Sequence, residues 1–177
     1  MQSKLAYWVM LSAAIGVTTL YHADNVLATP ADRFSATTLV KGTFGDIDGS
    51  KKSAIHDSME DERQANAWLS LQKTEGPSDL YVQRNVWQPG GSTGWHTHPG
   101  HSLIIVTKGT VTDYLGNDPD CKPHVYTKDM TFVDPGGDHV HILRNEGKAV
   151  AQTIVVQLVP ASATRRVDVA DPGNCHF

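Results

Sequence analysis

The feature that most restricts this chain's fold is its punctuation: between residues 67 and 159, every apolar stretch is soon broken by Gly, Pro, Asn or Asp. Gly76-Pro77-Ser78, Gly109, Gly116-Asn117, Asp134-Pro135-Gly136-Gly137 and Glu146-Gly147 supply the breaks. Between them the pattern predicts strands at 67–73 and 79–88. In the second of these, Leu80, Val82, Arg84 and Val86 alternate with Tyr81, Gln83, Asn85 and Trp87, a period of two. Further strands are expected at 95–98, 101–108, 110–115, 124–127, 130–133, 139–145 and 149–159. A parallel sheet needs helical crossovers, and no long amphipathic segment is present to make them, so the chain reads as an all-β antiparallel sandwich or barrel. With 15 Gly and 9 Pro but only 7% aromatic residues, the composition suits turn-rich strands better than a helical bundle.

A length of 177 residues favours one domain, and 40% apolar residues can form a real core. The formal charge of −4 without a basic stripe argues against nucleic acid as a partner. At the N-terminus, Lys4 precedes an apolar run over 5–20 and small residues close it at Ala23 and Ala28, the order of a secretory signal. The run is shorter than the roughly 20 apolar residues of a membrane span and is diluted by Ser12, Gly16, Thr18 and Thr19. Residues 1–28 are therefore expected to be a signal peptide cleaved after Ala28, with Ala23 the second choice. The product would be periplasmic or extracellular, with no stable membrane insertion. Residues 29–66 then form an N-terminal arm, with an edge strand at 37–44 and one or two helical turns at 57–66. A barrel at 67–160 and a C-terminal tail at 161–177 follow. Cys121 and Cys175 lie in turn-rich segments, neither in C-x-x-C or C-x-x-H spacing, and an oxidising compartment would join them. Such a disulfide would tether the tail and stabilise the fold by about 4 kcal/mol.

The histidines carry the chemistry. Five of the nine fall in two windows: His96, His98 and His101, then His139 and His141. Residues i and i+2 of a strand share a face, so each H-x-H places two imidazoles side by side, and both pairs can face one point. Imidazole is the commonest ligand for Zn, Fe, Mn, Ni or Cu and a poor one for Ca or Mg. One H-x-H is a weak signal; two separated by strands are a strong one. The segment Gly90-Gly91-Ser92-Thr93-Gly94 also satisfies G-x-S-x-G, which would make Ser92 a hydrolase nucleophile. That motif needs a following helix, however, and Pro99 forbids one.

These windows resemble the two motifs of the cupin superfamily. Gly90, His96, His98 and Gly109 match the first, G-(x)5-H-x-H-(x)3-4-E-(x)6-G. Pro135, Gly137, His141 and Asn145 match the second, G-(x)5-P-x-G-(x)2-H-(x)3-N. The resemblance implies a small jelly-roll barrel with one divalent transition metal at its mouth, held by His96, His98 and His141. Three departures stand out. The family's glutamate would fall at Ser102 or Leu103, so the acidic ligand is missing. Asp129 replaces the opening Gly of the second motif, and one extra residue separates Gly137 from His141. His101 and His139 are the candidate fourth ligands, with water the alternative to both.

Three imidazoles leave coordination positions open for water, substrate or dioxygen. A neutral ligand in place of a carboxylate makes the site one unit more positive, favouring anionic substrate groups. The expected partner is a small organic molecule, with a homodimer left open. An oxygenase or isomerase competes with a non-catalytic metal- or ligand-binding module. Trp87, Trp95 and Tyr81 are candidate pocket walls, though such aromatics are more often core. Gln83 or Arg84 would orient a substrate, depending on register. Asp138 is the carboxylate nearest the second histidine pair in sequence, and its parity points it away.

Overall fold

The computed structural model describes residues 28–55 and 66–177; the expected signal segment up to residue 27 lies outside the described residues, as do the helical turns expected at 57–66 except for Asn66, which opens a strand. Every regular element among the described residues is a strand: β1 (Asp32–Phe44), β2 (Ile47–Ile55), β3 (Asn66–Thr74), β4 (Ser78–Ser92), β5 (His96–Thr97), β6 (Ser102–Lys108), β7 (Thr110–Leu115), β8 (His124–Thr127), β9 (Thr131–Asp134), β10 (His141–Arg144), β11 (Ala151–Pro160) and β12 (Val167–Asp168). Ten of them form one antiparallel sheet that curls into a nearly closed jelly-roll barrel.

The long strand β4 organises the sheet. β1 pairs with it from Asp32 to Phe44, and β11 pairs with it from Ala151↔Trp87 to Pro160↔Ser78. β6 lies beyond β11, and β9 beyond β6. At its far end β4 hands the sheet to β10 through Arg144↔Ser92, and β10 pairs in turn with β5 and β7. Because β1 and β11 occupy both edges of β4, the strand next to it in sequence cannot form a hairpin with it. β3 pairs instead with β2, in a separate two-stranded ribbon. The edge strand expected at 37–44 begins earlier, at Asp32.

The interior is layered along the strands. Directly opposed residues of antiparallel neighbours project to the same face. Gln157, Ser102 and Asp134 therefore form one inward rung across β11, β6 and β9, and Val155, Ile104 and Phe132 form the next. The second rung belongs to an apolar core with Trp87, Val106, Val111, Leu143 and Ala151, against which Phe34 and Tyr126 pack. Each such large side chain taken from water stabilises the fold by about 1.5–3 kcal/mol. The first rung is polar, and it faces the barrel mouth.

The tail is not a mere appendage. β12 pairs with β5, placing Val167 opposite Thr97 and Asp168 opposite His96. The Cys121–Cys175 disulfide, with Cα atoms 5.3 Å apart, anchors this segment. Cys175 is buried with Trp95, Tyr114 and Ile142 in a second apolar cluster. On the other side of the tail, Thr29 N donates to Val169 O at 3.0 Å, and Trp95 N donates to Thr29 Oγ1 at 2.6 Å.

Candidate metal centre

His96 and His141 are direct cross-strand partners on β5 and β10. β5 is only two residues long, so His98 lies beyond the strand that was expected to carry it. Its side chain still reaches the same place. One ligand nitrogen from each of His96, His98 and His141 falls within 4.8 Å of the other two, and all three residues are buried. The ring centroids stand 4.9 Å apart for His96 and His98, and 4.5 Å for His96 and His141.

The tautomers follow from the neighbours. His96 Nδ1 lies 2.9 Å from Gly94 O, and His98 Nδ1 lies 2.8 Å from Arg165 O. A carbonyl oxygen only accepts, so each Nδ1 carries the hydrogen and donates it, leaving each Nε2 a lone pair. Such outer bonds fix ring orientation in metal-ligating histidines. His141 Nδ1 stands 3.2 Å from Asp113 Oδ1, although the two are not aligned as a hydrogen bond. Burial drives the His96 imidazole well below its ordinary pKa, helped by the nearby His141 and Arg166. Burial likewise lowers His98 to about 4, partly opposed by its bond to Arg165 and by Asp134. Both rings are therefore neutral near pH 7, the form that ligates metal.

The donor set fits a metal ion. His141 Nε2 is fully buried without a hydrogen-bond partner, as is Asp134 Oδ2. Leaving such groups unpaired is costly unless something in the site answers them.

The fourth-ligand candidates separate. His139 stands near His141, ring centroids 5.6 Å apart, and forms a second possible metal group with Asp134 and His141. His101 goes elsewhere: it lines outer-surface cavities with Leu103, Leu158 and Gln72, since β6 starts just after it and turns its neighbour Ser102 inward. Asp138 is exposed on the surface. Trp87 and Trp95 are core residues and not pocket walls, while Tyr81 is half-buried with Arg165 over its ring. Gln83 faces inward and Arg84 faces solvent.

Three contributors escaped the sequence reading. Arg165, in the tail, donates through Nη1 to Gln83 Oε1 at 2.7 Å and to Gln157 Oε1 at 3.3 Å, while its own carbonyl holds His98. Nothing local marks it out, because the tail reaches the mouth only through β12. Asp113 sits beside His141 from β7, whose residues are buried on both faces, so alternation could not single it out. Asp134, read from sequence as part of a turn, is the third. Its Oδ2 lies 3.7 Å from His98 Nε2 and 3.9 Å from His141 Nε2. The faint signal was its shared parity with the buried Phe132.

Residues 84–157, which include β5, β6 and β10 with all three histidines, match the family model described as a cupin domain. The chain carries a cupin domain. No curated protein matches this cupin at a significant level. Among solved structures it is similar to an oxalate oxidase in complex with the substrate analogue glycolate, at 27% identity and a TM-score of 0.43, covering 51% of this chain and 46% of the other. A conserved protein of unknown function from Streptococcus pyogenes matches at 19% identity and a TM-score of 0.39, covering 47% of this cupin and 67% of its own length. A cupin superfamily protein from Desulfitobacterium hafniense matches at 12% identity and a TM-score of 0.39, covering 63% and 78%. This cupin thus spans less than half the length of the oxalate oxidase it matches.

Proposed function

We propose that this chain is an exported metal-binding cupin whose barrel mouth takes a small organic molecule and acts on it as an oxygenase or isomerase. The observation that carries the reading is the convergence of three buried imidazoles within 4.8 Å, two of them with Nδ1 committed to backbone carbonyls. His96, His98 and His141 would hold one ion of Zn, Fe, Mn, Ni or Cu. Such an ion supplies Lewis-acid polarisation of a bound carbonyl or, where redox-active, dioxygen chemistry. The chain's own residues do the rest. Asp113 flanks the ring of His141, and the apolar rung of Val155, Ile104 and Phe132 closes the chamber below. Arg165, steadied by Gln83 and Gln157, offers a half-buried cation to an anionic substrate group.

One observation favours the second reading, a binding module without turnover: the two carboxylates at the centre, Asp113 and Asp134, are buried, so neither faces solvent as a ready general base. Dioxygen activation does not need such a base, whereas most proton-transfer chemistry does. Metal analysis of protein made in its own host, beside a His96→Ala/His98→Ala variant, tests the site; equal metal content in both sinks it. Oxygen uptake over small diketones, thiols and phenols then separates the readings. Uptake abolished by His141→Ala supports the oxygenase, and bound zinc without uptake or isomerisation supports the module.

Export rests on the N-terminal sequence and is supported by the Cys121–Cys175 disulfide. We take residues 1–28 as the signal, 29–66 as an arm whose β1 joins the barrel sheet, 67–160 as the barrel segment with β3 set apart in the ribbon, and 161–177 as the tethered tail whose β12 also joins the sheet. Mass spectrometry of the secreted protein should find Thr29 at the N-terminus; a chain retaining Lys4 would refute cleavage.

A further inference from the structure

We infer that Asp134 replaces the acidic ligand missing from the first histidine window, so that the metal centre is built from three histidines and one aspartate delivered by a different strand. The inference deepens the metal-site reading above and rests on it. It starts from register. Counting from His98, a carboxylate is due at Ser102 or Leu103; Leu103 is half exposed on the outer face, so Ser102 is the inward position. Ser102 on β6 is the direct antiparallel partner of Asp134 on β9. Opposed residues of such a pair share a face with Cβ atoms about 4.5–5.5 Å apart. A carboxylate lost from β6 is therefore present on the same face one strand away.

The carboxylate is aimed at the histidines. Its Oδ1 accepts a hydrogen bond from Gly136 N at 2.9 Å, which fixes the plane of the group. Oδ2 has no hydrogen-bond partner, and the residue is 2% exposed. That oxygen stands 3.7 Å from His98 Nε2 and 3.9 Å from His141 Nε2. His98 Nε2 carries a lone pair because its Nδ1 is the donor to Arg165 O. Electron-rich atoms of His98, His141 and Asp134 thus lie close together in a buried place, an arrangement that a shared metal ion satisfies. A serine at 102 suits this substitution: its Oγ is taken by Gln157 Nε2 at 3.2 Å, and its small side chain leaves the space to Asp134. With Asp134 as ligand the site regains its unit of negative charge, and preference for an anionic substrate then comes from Arg165.

The test is metal affinity, measured by competition between the full-length mature protein and a chelator for Zn(II) and Mn(II). Asp134→Asn keeps volume and the acceptor for Gly136 N but removes the charge. It should weaken binding at least tenfold to a hundredfold, the range seen when even outer-shell partners of a metal are removed. Adding Ser102→Glu to Asp134→Asn should recover most of that loss, because the carboxylate returns to the same face from β6. A structural role for Asp134 in its turn would not be rescued from another strand. Should Asp134→Asn fail to fold, Asp134→Ser, whose hydroxyl also caps Gly136 N, carries the same pair of measurements. His101→Ala, on the outer surface, should leave affinity within twofold. Affinity of the Asp134 variants within twofold of wild type, or loss on His139→Ala in their place, overturns the assignment. A wild-type protein that binds no better than His96→Ala/His98→Ala refutes the metal site itself, a different failure.

Discussion

Asn145 is the most informative position for stability. It is 1% exposed and follows β10, the strand that begins at His141. Its Nδ2 lies 3.2 Å from Trp87 O, 3.2 Å from Gln88 O and 2.8 Å from Ala149 O, while Oδ1 accepts from Gly147 N at 3.0 Å. An amide has two hydrogens, so the three carbonyls share two donated bonds. With the accepted bond, Asn145→Ala removes three bonds at about 1 kcal/mol each and strands buried carbonyls, for a loss of about 3–4 kcal/mol. Total stabilities are about 5–15 kcal/mol, so this is a large fraction, corresponding to a fall of about 6–16 °C in Tm for a chain of this size. Asn145→Asp should be at least as damaging at pH 7, since a carboxylate donates nothing and sets a charge against three carbonyl oxygens. Urea unfolding followed by tryptophan fluorescence, with an unchanged m-value, gives the difference directly. A loss below about 1 kcal/mol for Asn145→Ala, or tolerance of Asn145→Asp, would show that the clamp is not held by its donors and would refute the reasoning.

Three further outcomes are expected. In chelator-treated protein the unfolded chain, with an ordinary histidine pKa near 6.5, protonates before His98 at about 4; His98 therefore contributes its full share of stability above pH 6.5 and loses about 3 kcal/mol as pH falls from 6.5 to 4, a slope that His98→Gln should flatten. Reduction of Cys121–Cys175, or replacement of both residues by serine, opens a loop of 54 residues' separation and should lower stability by about 4 kcal/mol; an unchanged denaturation midpoint would contradict it. Gly136→Ala should destabilise and loosen metal binding, because a Cβ there would lie 2.4 Å from Gly100 O at a φ of +69°, whereas Gly137→Ala meets nothing within 4 Å and should cost only about 1–2 kcal/mol for its left-handed backbone. Equal losses in the two glycine variants would show that the close approach to Gly100 is unimportant.

Short-range physics made much of this protein legible from its residues. Turn chemistry at Gly109, Gly116-Asn117 and Glu146-Gly147 separates the strands, and the absence of crossover helices requires an antiparallel all-β fold. The two H-x-H windows held the three histidines that the fold gathers, and with only two cysteines one intramolecular bridge was available. What the residues could not fix was partnership between distant strands. The reading of 67–73 as a strand was sound, but its pairing with β2 depended on β1 and β11 having filled both edges of β4. His98 and His101 are three residues apart in one turn, yet one turns inward and the other lies on the outer surface with Leu158, a choice made where β6 begins. Asp134 looked like turn punctuation before Pro135 until its register opposite Ser102 set it against the imidazoles. Arg165 enters the mouth because β12 pairs with β5 and Cys175 is tied to Cys121. Local pattern specifies which way a strand's side chains alternate; which strands lie side by side, and so which carboxylate and which cation face the histidines, is decided only when the whole sheet closes.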